Sequence, residues 1–152
     1  MRKEVFEVRR MTAADLTPEF MECLESLGPT EDVRSDVGLA AIRETFRRQL
    51  RAGWETIVAL SPNGKIVGTA SYFVKHCYHY HGARVCLVED VAVHNACQRR
   101  GVGACLVKFI EAEARRLTCR SIAGRSRAGA VEFYRKLGFR IGGPGGGFQK
   151  EL

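Results

Sequence analysis

The sequence predicts an α/β fold, with a mixed but mostly antiparallel central sheet flanked by helices. Short apolar runs typical of strands alternate with longer stretches in which apolar side chains recur at helical spacing. Between two apolar runs, Ser61-Pro62-Asn63-Gly64 has the composition of a hairpin turn. A glycine-rich segment at 98–103 joins the most apolar run to an amphipathic one, which indicates a strand–turn–helix junction.

The N-terminal half predicts a strand, two helices and a hairpin. Residues 6–10 alternate apolar and polar side chains, which favours a half-buried first strand. Two stretches with helical spacing follow, and each is ended by a glycine, Gly28 or Gly53. The predicted bounds are 16–27 and 37–51 for the helices, and 56–60 and 65–80 for the two strands of the hairpin.

The C-terminal half predicts alternating strands and helices. The run 85–93 is the most apolar of the chain, so we expect it to be a central strand of the sheet. A glycine-rich run at 142–147 separates the last two strands. The remaining predicted elements are helices at 101–117 and 128–137, and strands at 119–123, 139–141 and 148–152.

Length and charge restrict the possible partners. A chain of 152 residues is expected to form one domain over 1–152. Its net charge of +7 suits a small anionic ligand, a nucleic acid or an acidic membrane. The basic residues are dispersed, so we expect no nucleic-acid partner, which would require a continuous basic face. No apolar run approaches the ~20 residues that span a bilayer, so we expect no membrane partner.

The cysteines and termini bear on the compartment. Six cysteines lie mostly inside predicted strands or helices and form no Cys-x-x-Cys pair, which indicates buried, reduced thiols. The charged start Met1-Arg2-Lys3-Glu4 lacks the apolar core of a signal peptide. We therefore expect an intracellular, cytoplasmic protein. The C-terminal Lys150-Glu151-Leu152 matches neither the Ser-Lys-Leu nor the Lys-Asp-Glu-Leu targeting signal, and a glycosome-like or peroxisome-like compartment remains an alternative.

The segment Gln98-Arg99-Arg100-Gly101-Val102-Gly103 has the chemistry of an anion site. The first amides of the helix that follows have no partners within the helix, and the helix dipole adds positive character. The glycines let a ligand approach the backbone closely, and the two arginines add charge. These features predict a pyrophosphate site. The alternative is a glycine-rich turn that binds nothing.

Three segments in this order resemble the GCN5-related N-acetyltransferase (GNAT) superfamily: Leu87–Val93, the glycine loop 98–103, and Val131–Phe139. The resemblance implies a GNAT fold in which a splayed central strand binds acetyl-CoA as cosubstrate. The loop would hold its pyrophosphate, the main chain of the strand its pantetheine amides, and a tyrosine its thioester sulfur. The implied acetyl-CoA-binding residues are Val91, Ala92, Val93, Gln98, Arg99, Arg100, Gly101, Val102, Gly103, Ala104 and Tyr134.

The resemblance also implies direct attack of an amine on the thioester in a ternary complex. Glu89 or Asp90 would receive the amine and accept its proton. Since neighbouring strand residues point to opposite faces, only one of these carboxylates is expected to face the site. The amide of Val91 would stabilise the oxyanion, and Tyr134 would protonate or hydrogen-bond the departing thiolate. The alternative for each of these residues is a purely structural role.

Within the superfamily, the chain is most similar to the glucosamine-6-phosphate N-acetyltransferases, from Phe6–Arg10 through Glu89-Asp90-Val91 to Phe133-Tyr134. This similarity implies an amino-sugar phosphate as substrate, a step toward UDP-N-acetylglucosamine, and a homodimer. The implied substrate-binding residues are Glu89, Asp90, Thr30, His79 and Arg125. The chain departs from the family's pattern at Arg125, where an acidic residue is usual, and at Ala130, where asparagine is frequent.

Other interpretations are open at this point. A GNAT enzyme would also suit a protein N-terminus, a lysine or a small amine as acceptor, and a non-catalytic member would only bind acyl-CoA. Cys77, His79 and His81 fall on one face of the predicted strand, as zinc ligands can, but no second ligand cluster accompanies them, so we expect no metal. Cys86, Cys97 and Cys105 are candidates for a covalent acetyl-cysteine relay, but the sequence shows no histidine positioned to activate any of the three, so we expect direct attack.

Overall fold

The computed structural model describes residues 4–28, 35–143 and 146–152. By its contacts the chain forms two compact units. The first unit comprises Met1–Ser71 and Asp90–Val107, and the second comprises Tyr72–Glu89 and Lys108–Leu152. The expectation of a single domain over 1–152 stays a prediction.

The elements follow the predicted order. The strands are β1 Glu7–Arg10, β2 Glu55–Leu60, β3 Ile66–His76, β4 Arg84–Val93, β5 Ser121–Arg125, β6 Arg140–Gly142 and β7 Gly147–Glu151. The α-helices are α1 Pro18–Leu24, α2 Asp36–Arg51, α3 Val102–Arg116 and α4 Val131–Lys136. Short 3-10 turns precede or extend them at Ala13–Asp15, Glu25–Leu27, Asn95–Cys97 and Ala128–Ala130.

The described strands form a seven-stranded sheet in the order β1-β2-β3-β4-β5-β7-β6. β4 and β5 are parallel, whereas β1 and β2, β5 and β7, and β6 and β7 pair antiparallel. This confirms the predicted α/β fold with a mixed, mostly antiparallel sheet. The parallel pair exists because α3 connects β4 to β5, and a parallel neighbour requires such a crossover.

The first unit has an apolar core built from α1, α2 and the neighbouring strands. One stripe of α2, with Leu39, Ile42 and Phe46, packs into this core, which explains the helical spacing in the sequence. The buried core members are Met11, Leu16, Phe20, Met21, Cys23, Phe46, Val58 and Ile66. Beside the core, both outer nitrogens of Arg9 donate to the Asp15 carboxylate over 2.8 Å, and this pairing lowers the pKa of Asp15.

The predicted strand over 65–80 is wrong at its end, because β3 stops at His76. Tyr80, His81 and Gly82 have φ angles of 54°, 57° and 75°, so three successive residues turn through the left-handed region. The Cys77 amide closes this turn by donating to the Ala83 carbonyl over 2.9 Å. The expectation that Cys77, His79 and His81 share one strand face is therefore also wrong.

The strand predicted at 119–123 begins and ends two positions later, at Ser121 and Arg125. Its bounds follow from pairing with two neighbours rather than from local hydropathy. Val85 lies opposite Ser121 on one side, and Gly147 lies opposite Arg125 on the other. Arg125, predicted to contact substrate, is thus the last residue of β5.

Candidate active site

The strand β4 loses its partner β5 halfway along its length. The two strands pair from Val85–Ser121 to Val88–Gly124, and no described residue of β5 pairs with β4 beyond Val88. β4 nevertheless continues to Val93. The main chain from Glu89 onward is therefore available on that side to a ligand that carries its own amides, as a splayed strand requires.

Asp90 marks the point at which β4 changes course. Its φ of 53° lies in the left-handed region, which aspartate tolerates better than most residues and which a regular strand never uses. Such a residue interrupts the alternation of side chains along a strand. Regular strand alternation therefore does not determine whether one or both of Glu89 and Asp90 face the site.

Both predicted carboxylates are exposed. The side chains of Glu89 and Asp90 make no hydrogen bond or ion pair with other residues in the described ranges, in contrast to the paired carboxylates of Asp15 and Glu111. An unpaired carboxylate next to a break in strand pairing is free to accept a proton or a hydrogen bond from a ligand. Their placement therefore suits the predicted contact with an amine.

After β4, His94 organises the approach to the glycine loop. Its backbone amide donates to the Val67 carbonyl over 2.9 Å, and its Nδ1 accepts from the Ala96 amide over 3.1 Å. Because Nδ1 is an acceptor, we assign the ring proton to Nε2, which lies 3.1 Å from the Glu22 carboxylate. The histidine thus ties the start of the loop to both β3 and α1.

The loop itself is a tight turn with two residues in left-handed conformations. Arg99 has a φ of 63° and Gly101 a φ of 92°. A Cβ on Gly101 would meet no atom within 4 Å, so glycine is needed there for its backbone conformation and not for space. α3 starts directly after it, and the Cys105 amide donates to the Gly101 carbonyl over 3.1 Å.

A row of backbone amides stands unpaired in this turn. Across the part of the chain that the structure describes, the amides of residues 99–104 donate to no protein acceptor, and the Cys105 amide is the first to do so. Consecutive free N–H groups at the beginning of a helix form a concave site for an anion. This is the arrangement that the sequence predicted for a pyrophosphate.

Gly68 sets the position of this helix start within the first unit. A Cβ on Gly68 would lie 2.7 Å from Val102 Cγ1 and 3.2 Å from the Ala92 carbonyl oxygen. Val102 is 1% exposed and Leu106 is fully buried, so neither can move aside easily. The first turn of α3 is therefore pressed onto β3 next to Ala92, which places the free amides beside the predicted acetyl-CoA strand.

The two arginines of the loop have different surroundings. Nε and Nη2 of Arg100 donate to the two carboxylate oxygens of Glu4, the first over 2.9 Å, and Nη1 lies 3.7 Å from Cys97 Sγ. The carboxylate raises the pKa of Arg100. Arg99 is exposed and has no side-chain partner among the residues described. The charge of Arg100 is therefore compensated by Glu4, while the predicted contribution of Arg99 to the anion site stays a prediction.

Tyr134 lies in the second unit on an aromatic platform. It is 5% exposed, and its ring stacks on Phe148 with centroids 3.8 Å apart and an interplanar angle of 12°. Phe133 and Phe139 pack edge-on against it. Burial raises the pKa of Tyr134 to about 12, so the phenol carries its proton at neutral pH. It donates to no acceptor within the described part of the chain, which leaves the proton free for a ligand.

Phe148 can occupy its place because β5 carries Gly124 beneath it. A Cβ on Gly124 would lie 2.4 Å from Phe148 Cζ and 2.7 Å from the Val88 carbonyl oxygen. The same glycine therefore permits both the Tyr134–Phe148 stack and the close passage of β5 past Val88. Sequence reasoning missed Phe148 and Gly124, because their importance arises from β5–β7 pairing, in which they lie opposite each other.

Comparison with known proteins decides the family. The model of the Acetyltransferase (GNAT) family matches residues 14–139. The chain belongs to the GNAT acetyltransferase family. Members of this family use acetyl-CoA, so the chain is an acetyl-CoA-dependent N-acetyltransferase.

Several named relatives accompany this GNAT match. A glucosamine 6-phosphate N-acetyltransferase of Trypanosoma brucei brucei is 32% identical over 88% of each chain. One of Oryza sativa subsp. japonica is 25% identical, over 90% of this chain and 82% of its own. Among solved structures, an acetyltransferase of Trypanosoma brucei superimposes with a TM-score of 0.74 at 31% identity, over 91% of this chain and 95% of that one.

The residues of this GNAT chain fit acetyl-CoA on two independent grounds. The free amides of 99–104 match a diphosphate, which accepts hydrogen bonds and carries negative charge. The main chain of β4 beyond Val88, unpaired by β5, matches a pantetheine arm with amide groups of its own. No group of three or more potential metal ligands occurs among the described residues, and no described helix is long and apolar enough to cross a membrane.

The residues predicted to contact the sugar lie in separate segments of this GNAT chain. Thr30 lies outside the described residues. His79 is exposed in the turn after β3 and lines a cavity of about 300 Å³ in the second unit. Arg125 is exposed at the end of β5. Ala130 directly precedes α4.

That cavity contains cationic groups that the sequence did not single out. The Arg120 guanidinium lies 4.0 Å from the centre of the Tyr80 ring and 3.7 Å from the Glu151 carboxylate. The lining residues are Lys75, Cys77, His79, Tyr80, Val85, Leu87, Arg120, Ser121, Ala123, Gln149 and Glu151. They come from several strands and from the turn after β3, so their proximity depends on strand register and is not visible in the sequence.

Proposed function

We propose that this enzyme transfers the acetyl group of acetyl-CoA to the 2-amino group of D-glucosamine 6-phosphate. The observation that carries the transferase part is the row of free amides at 99–104. The choice of sugar is supported by the curated relatives of Trypanosoma and rice, which bear that activity in their names and match most of this chain. The acetylated product is a precursor suited to UDP-N-acetylglucosamine synthesis.

The reaction proceeds by direct attack of the neutral amine in a ternary complex. Glu89 or Asp90, both without a partner in the described structure, accepts the amine proton directly or through water. General base catalysis of this kind is worth about 10²–10⁴-fold in rate. The amide of Val91, just beyond the bend at Asp90, donates to the developing oxyanion, which contributes about 3 kcal/mol.

Tyr134 stabilises the departing thiolate. A phenol whose pKa is about 12 is a much weaker acid than a thiol, whose ordinary pKa is about 8.5. The proton therefore stays on the phenol, which acts as a hydrogen-bond donor to the sulfur and not as a full proton donor. Its stack on Phe148 and the flanking phenylalanines orient the hydroxyl, which has no polar tether among the described residues.

The sugar phosphate is recognised by cationic and hydroxyl groups. Thr30, His79 and Arg125 are the proposed contacts, since a phosphate dianion prefers arginine, histidine and hydroxyl donors. The net charge of +7 draws an anionic substrate toward the protein. Arg125 stands where the resemblance implies an acidic residue, and it adds a positive charge there.

The deciding experiment is thiol release from acetyl-CoA in the presence of a panel of amines. We expect glucosamine 6-phosphate to exceed glucosamine in kcat/KM by about 10- to 100-fold, the value of one or two charge-assisted hydrogen bonds to the phosphate. Equal values for both sugars would refute the proposed substrate while leaving the transferase intact. Turnover of a peptide N-terminus, lysine or polyamine instead would identify another GNAT acceptor. Coenzyme binding without turnover of any amine would indicate a non-catalytic module.

Assembly and compartment complete the proposal. A homodimer is proposed on the resemblance to the sugar acetyltransferases, and light scattering of the purified protein tests it through the mass in solution. A cytoplasmic location agrees with the free cysteines at 23, 77, 86, 97, 105 and 119. Imaging of the tagged protein in its own cells distinguishes cytoplasm from a glycosome-like organelle.

A further inference from the structure

Arg99 and Arg100 are neighbours in sequence but differ in how their charges are used. All three nitrogens of the Arg100 guanidinium donate hydrogen bonds, two of them to the Glu4 carboxylate and one to Cys97 Sγ. The Glu4 side chain is 28% exposed and that of Arg100 is 47% exposed, so the pair is partly withdrawn from water. Arg99 is exposed and makes no described side-chain contact.

The position of the pair explains what it can do. Arg100 lies between Arg99 and Gly101, the two residues with left-handed φ angles. Holding a non-glycine residue such as Arg99 in that region costs free energy, so the turn needs support from outside. Glu4 supplies such support from a point 96 residues earlier in the chain, just before β1.

We infer that Glu4 is a positioning residue for the coenzyme loop, and that Arg100 is a brace for the loop rather than a ligand of the pyrophosphate. Arg99 is then the side chain that contributes positive charge to the anion site, next to the free amides. This inference rests on the use of acetyl-CoA, and it adds to that function a residue that lies far from the glycine motif in sequence.

The two possible roles of Arg100 predict opposite effects on coenzyme binding when the charge of Glu4 is removed. If Arg100 were a phosphate ligand, Glu4 would compete with the phosphates for the guanidinium and would repel them by its own charge. Removing the Glu4 charge would then tighten coenzyme binding. If Arg100 is a brace, removing that charge leaves the turn unsupported and weakens binding. The sign of the change therefore decides between the two roles.

The test is titration calorimetry of coenzyme A with Glu4→Gln, Arg100→Gln, the double variant and Arg99→Gln. We expect each single change in the pair to weaken binding about three- to fivefold, the range for a partly exposed ion pair. The double variant should be no weaker than either single variant. Arg99→Gln should weaken binding independently, so that its effect multiplies with that of Glu4→Gln.

A kinetic readout and a matched control accompany the titration. The KM for acetyl-CoA should rise in Glu4→Gln while kcat at saturation changes less than about twofold. The reason is that the change weakens binding of the coenzyme equally in the ground state and the transition state. Glu44→Gln is the control, since Glu44 also pairs with an arginine, Arg48, over 3.0 Å in the first unit but on α2. Its Kd for coenzyme A should equal that of the unchanged protein.

The outcomes separate failure of the inference from failure of the function. Tighter binding by Glu4→Gln, or multiplying effects of Glu4→Gln and Arg100→Gln, would overturn the brace and make Arg100 a ligand. An unchanged Kd in Glu4→Gln would also overturn it. If the unaltered protein itself binds no coenzyme A, the assignment of acetyl-CoA as its cosubstrate is wrong.

Discussion

The coenzyme loop of the first unit and the tyrosine platform of the second unit use different parts of the polypeptide. The loop presents backbone amides in a turn with two left-handed residues, and the Arg100 side chain pairs with Glu4. The platform presents one side-chain hydroxyl, and its backbone contributes only regular secondary structure. The loop should therefore be sensitive to changes of backbone conformation or space, whereas the platform should be sensitive to the loss of single atoms.

The largest expected effect follows from placing a charge among the free amides. Gly103→Glu introduces a carboxylate into the first turn of α3, where it occupies and neutralises the anion site. We expect no detectable coenzyme A binding by calorimetry and an unchanged circular dichroism spectrum.

Gly142→Glu is the matched control for that variant. A Cβ on Gly142 would meet no atom within 4 Å, and its backbone does not require glycine. It should bind coenzyme A normally. Normal binding by Gly103→Glu would show that the loop is only a turn.

The removal of one oxygen atom tests the platform. Tyr134→Phe keeps the ring stacked on Phe148 and loses only the donor to the sulfur. We expect kcat to fall about 10- to 100-fold, the worth of a hydrogen bond to a charged group, while the KM for acetyl-CoA stays nearly constant. Steady-state kinetics measure both. An unchanged kcat would remove the tyrosine from the mechanism.

Two glycine substitutions test how the coenzyme loop is held in place. Gly101→Ala meets no atom but must adopt a φ of 92°, whereas Gly68→Ala brings a Cβ within 2.7 Å of Val102 Cγ1. We expect each to cost about 1–2 kcal/mol, the first as backbone strain and the second as overpacking. Coenzyme A titration should show weaker binding in both, and chemical denaturation should show the larger loss of stability in Gly68→Ala. Equal binding by Gly68→Ala and the unchanged protein would mean that the helix start is not held from β3.

The smallest effect is a pH dependence confined to the platform. Because burial raises the pKa of Tyr134 to about 12, above its ordinary value of about 10, folding favours the neutral phenol. Its contribution to stability is complete below pH ~10 and is lost as the pH rises through the raised value. In urea titrations, the free energy of unfolding of Tyr134→Phe should therefore increase relative to that of the unchanged protein as the pH rises above 10. A constant difference between the two would contradict the buried, neutral phenol.

Much of the fold could be predicted because its signals are local. The periods of α2 and α3, the Asn63-Gly64 turn and the order of strands and helices all follow from neighbouring residues. The glycine loop was recognisable because free amides and left-handed turns are properties of a short segment. The end of β3 was missed, since nothing in the apolar run 65–80 reveals that Tyr80 and His81 take positive φ angles.

Local sequence patterns predicted the resemblance to the family, the order of the elements and the segment with the free amides, because each depends on residues close together in the chain. The folded chain was needed to show that Asp90 bends β4, that Phe148 over Gly124 supports Tyr134, and that Glu4 pairs with Arg100. These features depend on strand register and on contacts between residues far apart in the chain, and periodicity along the sequence contains no record of such contacts.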